Sequence, residues 1–90
     1  MNKADLIDQV AAQTGQTKVA VTAIVEATMA VIVDTVAESH SVTLSGFGTF
    51  EPKAREPRTG RNPRTGDTVP IPARIVPAFR PGRAFRSAVE

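Results

Sequence analysis

Four arginines, Arg55, Arg58, Arg61 and Arg64, lie in the stretch REPRTGRNPRTGDT (55–68), with two prolines, two glycines and no strongly apolar residue. The unit Pro-Arg-Thr-Gly occurs at 57–60 and returns at 63–66. A guanidinium grips phosphate bidentately, where an ammonium acts as a point charge. A proline among the arginines adds a rigid apolar ring. The chemistry on offer is recognition of a polyanion rather than bond-making. By composition alone, a basic Pro/Gly-rich segment also reads as a disordered linker. Apolar, β-prone residues on both sides (Phe47 and Phe50 before; Val69, Ile71, Ile75 and Val76 after) make it instead the tip of a long hairpin.

The charge distribution supports the same chemistry. Residues 1–45 hold two lysines against five acids, a net −3, whereas residues 46–90 hold one lysine and eight arginines against four acids, a net +5. This segregation sets one half of the chain to meet a polyanion while the other does something else. There is no cysteine among the 90 residues, so disulfides, thiolate catalysis and cysteine-zinc sites are excluded. Ninety residues make one small domain, and an arm projecting from it leaves a core marginal for a monomer, which a second subunit would complete. No apolar run reaches the roughly 20 residues that span a bilayer, and MNKADLID has no signal-peptide core, so an intracellular, soluble protein is expected.

The elements that must carry the arm are legible in outline, and the expected class is α+β. Asn2 is an N-cap with Asp5 at N3, Leu6, Ile7, Val10 and Ala11 follow at helical spacing, and Gly15 supplies a stop. Thr17 caps a second helix, free of Gly and Pro from Lys18 to Glu38, with Val21, Ile24, Val25, Met29, Ile32 and Val36 on an apolar face. Together they form an N-terminal helical hairpin. Val42 and Leu44 then alternate with Thr43 and Ser45 as a first strand, Gly46-Phe47-Gly48 turns, and a second strand follows to Arg55. Alternation puts Phe50, Pro52 and Ala54 on one face and Glu51, Lys53 and Arg55 on the other. Ile71–Phe79 returns as a third strand, completing an antiparallel sheet with a long β-ribbon arm. Pro81 opens a short C-terminal helix with Phe85 turned inward. The expected organisation is one domain: 1–45 as helical dimerisation body and first strand, 51–75 as arm, 80–90 as terminal helix.

Twelve or so residues per leg give an arm about 35–40 Å long, enough to follow a DNA groove around one side of the duplex. On such a ribbon Arg58, Arg61 and Arg64 reach phosphates or groove edges, and Asn62 either bonds base acceptors or shapes the turn. Pro63 is an apolar wedge at a charged tip, the kind that enters between base steps and kinks the duplex.

MNKADLID, GFGTF (46–50), RTGRNPRTG (58–66) and PAFRPGRAFRSAV (77–89) resemble the HU branch of the HU/IHF family, end to end. The resemblance implies an intertwined homodimer with a helical base and two arms that clasp double-stranded DNA in the minor groove and bend it. It carries Arg55, Arg58, Arg61, Asn62, Pro63 and Arg64 over as arm contacts, Lys53, Arg80, Arg83 and Arg86 as backbone contacts lower down, and Lys3 as a body-side contact. It also implies a cytoplasmic, nucleoid-associated protein that compacts DNA without strong sequence preference. Pro52, Pro57 and Pro81 depart from the family pattern and put strand pairing near the arm's base in question.

Phe47, Phe50 and Phe79 sit on apolar faces outside the basic stretch and are expected in a dimer core, with Phe85 nearby, rather than as base-stacking groups. His40, alone between two serines, offers neither a metal site nor a catalytic base. Asp5 and Asp8 are explained by a helix N-terminus. No catalytic residue, metal, cofactor, membrane partner or small-molecule substrate is expected. Arg80, Arg83 and Arg86, three apart, are expected on one helix face. Two other readings keep parts of this picture: a sequence-specific factor of the IHF type, usually a heterodimer of paralogues, and a dimeric scaffold whose arm binds RNA or an acidic protein.

Overall fold

The computed structural model describes residues 1–90 as two compact units, Met1–Asp34 and Thr35–Glu90. The first unit is built on α1 (Lys3–Thr14) and most of α2 (Lys18–Ala37). The Asn2 side chain accepts the Asp5 N–H at 2.9 Å, and the Asp5 carboxylate accepts the Asn2 N–H at 3.1 Å, a reciprocal cap for two orphan donors. Gly15 closes α1 at φ 70°, donating its N–H to Ala11. The Thr17 hydroxyl accepts the Ala20 N–H at 3.1 Å and starts α2. Ile7, Ala11 and Val21 form the buried cluster, with Val10 and Val25 packed on it.

That cluster is small, and α2 explains why. Its apolar residues are not confined to one face: Val19, Ile24, Val31 and Val33 are each more than 60% exposed. The apolar surface of α2 is therefore wider still than the face expected through Val21, Ile24, Val25, Met29, Ile32 and Val36. The expectation that no apolar run reaches the length of a bilayer span does not hold for α2, which with 20 residues and a mean hydropathy of 1.9 is long and apolar enough by length and composition alone. Glu26 and Asp34 lie within it and would be expensive in hydrocarbon. A helix that is apolar nearly all round is equally what an intersubunit core requires.

In the second unit, β1 (Val42–Leu44), β2 (Gly48–Arg55) and β5 (Arg74–Pro81) form an antiparallel sheet in the order β1-β2-β5. A separate ribbon pairs β3 (Arg58–Arg61) with β4 (Thr68–Ile71), and α3 (Arg83–Val89) follows β5. The third strand expected over Ile71–Phe79 is thus two strands. Phe50 and Phe79 face each other with ring centroids 4.8 Å apart, and Phe47 lies 5.6 Å from Phe79 and 5.3 Å from Phe85. Gly48 makes room for this cluster: a Cβ there would fall 2.6 Å from the Phe79 ring. Phe47 and Phe79 remain 47% and 40% exposed, so the cluster is covered on one side only.

The prolines dictate the ladder. In an antiparallel pair, opposed residues alternate between exchanging two hydrogen bonds and exchanging none, and proline cannot donate. Pro52 opposes Pro77 and Gly48 opposes Pro81, which makes the even-numbered positions of β2 the non-bonded ones. The bond from Gly82 N–H to Phe47 O at 2.8 Å agrees, since it falls on an odd position. Pairing at the arm's base is therefore intact despite Pro52. Pro81 ends β5 instead of opening a helix, and Gly82 caps α3, which starts at Arg83. Continuing the ladder would place Pro57 at a bonded position in line with Pro72, where neither could donate. Pairing stops there, leaving Glu56-Pro57 and Pro72-Ala73 out of both sheets. It resumes in step, Arg55 opposite Arg74 and then Arg58 opposite Ile71, but with the bonding pattern inverted. Pro70 opposes Thr59, and Asn62 N–H donates to Asp67 O at 2.8 Å, so the even positions are now the bonded ones.

Candidate nucleic-acid interface

In the ribbon, inversion of the ladder has a direct effect on the arginines. Side-chain face and hydrogen-bond direction alternate together along a strand, so residues bonded to the partner strand share a face. On β2 and β5 that face carries Glu51, Lys53, Arg55, Arg74 and Arg80, while Phe50, Pro52, Pro77 and Phe79 occupy the other. Beyond the break the bonded set is Arg58, Gly60 and Asn62. Arg55 and Arg58 are therefore both on the bonded face of their own ribbons and line one cleft, although an uninterrupted strand would put residues three apart on opposite faces. Arg61 takes the other face of the ribbon.

The tip is organised by its own side chains. Asn62 Oδ1 accepts the Arg64 N–H at 2.9 Å, and Thr65 Oγ1 accepts the Asp67 N–H at 3.2 Å. The Gly66 N–H returns to Asn62 O at 2.8 Å, with Gly66 at φ 77°, a conformation that suits glycine. Pro63 and Arg64 stand at the head of this loop. Of the two roles foreseen for Asn62, its oxygen takes the turn-shaping one, and its amide nitrogen has no intrachain partner. Every arginine of the arm is exposed, and none is held in an ion pair.

The remaining basic residues are placed less uniformly than expected. Arg80 is on β5, not on a helix, and reaches Glu51 at 3.4 Å, a pair exposed enough to contribute at most about 1 kcal/mol. Arg83 and Arg86 share a face of α3. Gly82 secures that helix, because a Cβ on it would meet Gly46 O at 2.8 Å. Lys3 lies 3.4 Å from Glu26 in the first unit. Sequence reasoning passed over Arg74, whose signal is the alternation back from Arg80 through Ala78 and Val76.

A basic β-ribbon with a proline at its head, standing on a sheet whose other face is aromatic, defines a protein that grips an extended polyanion from outside. The sequence family described as bacterial DNA-binding protein matches residues 1–90. DNA-binding protein HU of Lactococcus lactis is 47% identical over 99% of this chain and 98% of its own length. Its counterpart from Thermus thermophilus is 46% identical over 100% and 93%. Among solved structures, the Anabaena HU–DNA cocrystal structure superposes with a TM-score of 0.95 at 44% identity, covering 99% of this chain and 97% of that one. The chain belongs to the bacterial DNA-binding protein family.

Proposed function

We propose that this protein is a histone-like, largely non-sequence-specific DNA-binding protein that bends and compacts duplex DNA as a homodimer. The observation that carries the reading is the tip: Pro63 stands at the head of a loop closed by Asn62, Thr65 and Gly66, on a ribbon whose arginines have no acid partners. Arg58, Arg61 and Arg64 neutralise phosphates along the minor groove, and the Pro63 ring enters between base steps. Unstacking a step costs a few kcal/mol, offset by the added phosphate contacts that bent DNA allows. Lys53, Arg55, Arg80, Arg83 and Arg86 hold the flanking backbone, and Lys3 reaches it from the helical body. Asn62 offers its amide nitrogen to base acceptors.

The dimer follows from the exposed apolar side chains. Among the hydrophobic residues only Ile7, Ala11 and Val21 are buried in the single chain, while Val19, Ile24, Met29, Val31 and Val33 are exposed. Burying side chains of this size is worth about 1.5–3 kcal/mol each, so a second copy recovers what one chain leaves in water. The protein works in the cytoplasm, on the nucleoid. Ring closure of duplex fragments shorter than a persistence length tests the function: the protein should accelerate closure strongly on unrelated sequences. Binding with no gain in closure would overturn the bending reading, and closure confined to one sequence would favour an IHF-type factor.

A further inference from the structure

The break in the arm carries a feature that groove binding by the tip does not require. Arg55 and Arg74 oppose each other directly at the last rung of the β2–β5 ladder. Like charges in that position are destabilising. Neither forms an ion pair, either with Glu56, next in sequence to Arg55, or with any other acid. The inverted ladder puts Arg58 on the bonded face of its own ribbon. A cleft of about 400 Å³ is lined by Arg55, Glu56, Arg58, Ile71, Pro72 and Arg74.

We propose that Arg55, Arg58 and Arg74 form one phosphate-binding site at the break, which takes a single backbone phosphate of the DNA. The unpaired Arg55–Arg74 rung is the repulsion such a ligand relieves. Guanidinium forks on two strands can each donate to the same phosphate oxygens. The four residues without regular pairing, Glu56-Pro57 and Pro72-Ala73, place the third arginine, since an unbroken strand would turn Arg58 away. Arg74 is the residue this adds to the interface, and the site rests on the DNA-binding reading above.

The test is the salt dependence of binding to a linear mixed-sequence duplex, compared among the full-length protein and its variants. Each neutralised phosphate contributes about 0.9 to the slope of log K against log salt. Arg74→Gln should flatten that slope by a measurable part of this amount, and Arg55→Gln with Arg74→Gln should flatten it by about one phosphate, not two. Without DNA, Arg74→Gln should melt at the same temperature as the parent or higher, because the like-charge rung is relieved. An unchanged slope in Arg74→Gln overturns the site, as does an additive loss in the double variant. An equal loss from Lys18→Gln, which removes one charge from the other unit, also overturns it by reducing the effect to net charge. A parent protein with no salt-dependent binding sinks the DNA reading itself, so the two failures are read on different proteins.

Discussion

Asn62 and Arg64 are tied together across Pro63, the amide oxygen of the first accepting the backbone N–H of the second at 2.9 Å. The proline ring is thereby bracketed by a hydrogen bond that fixes the chain on either side of it. A wedge presented by a floppy loop would lose ordering entropy on insertion, at roughly 1–2 kcal/mol for each backbone residue fixed. Asn62→Ala should leave the fold intact while weakening binding to duplex by about 1–2 kcal/mol. Equilibrium binding with parallel circular dichroism checks this, and an unchanged affinity would show that the tip needs no such bracing.

Pro63→Ala separates bending from holding. The arginines remain, so affinity for linear duplex should fall modestly, while ring closure and preference for nicked or pre-bent DNA should fall much further. Equal losses in both measurements would mean that the ring contributes contact and not insertion.

Gly48→Ala should be among the most damaging single changes outside the arm. Its methyl group would sit 2.6 Å from the Phe79 ring and 2.8 Å from Arg80 O, forcing apart β2, β5 and the aromatic cluster together. Overpacking of this kind costs typically 1–3 kcal/mol. Urea denaturation should register a lowered midpoint, and a wild-type midpoint would mean that the ring can move aside freely.

Stability should depend on protein concentration. If a second copy covers α2, dilution raises the unfolded fraction and lowers the melting temperature by mass action. Calorimetry over a hundredfold concentration range measures it, with Val33→Asp as a variant that should lose the dimer. A melting temperature independent of concentration, with a monomeric mass in solution, would contradict the shared core.

What could be read in advance was local. Asn2 with Asp5, Thr17 and Gly15 mark helix ends because a cap involves residues three or four apart, all visible in one window. The GFGTF segment and the basic tip were legible for the same reason. Other features depend on which residues oppose which across the ribbon. Pro57 is an oddity until Pro72 is known to stand in line with it, and Pro81 suits the first turn of a helix until Gly48 is found opposite. Arg80 looks helical by its spacing to Arg83 until the strand is seen to run through it. The full apolar surround of α2 exceeds what its spacing predicts, because a periodicity marks the face turned to the helix's own chain and not the sides left exposed in it, such as Val19, Val31 and Val33.

The two legs advance in step from Gly48 opposite Pro81 to Arg61 opposite Thr68, each passing over two residues at the break. The arm is therefore a paired-length device. Removing one residue from either leg alone would put every rung beyond it out of register with its partner. Removing one residue from each leg at facing positions would keep the rungs matched. Shortening or lengthening of this ribbon is tolerable only in matched pairs, a rule its sequence must obey however freely the individual side chains vary.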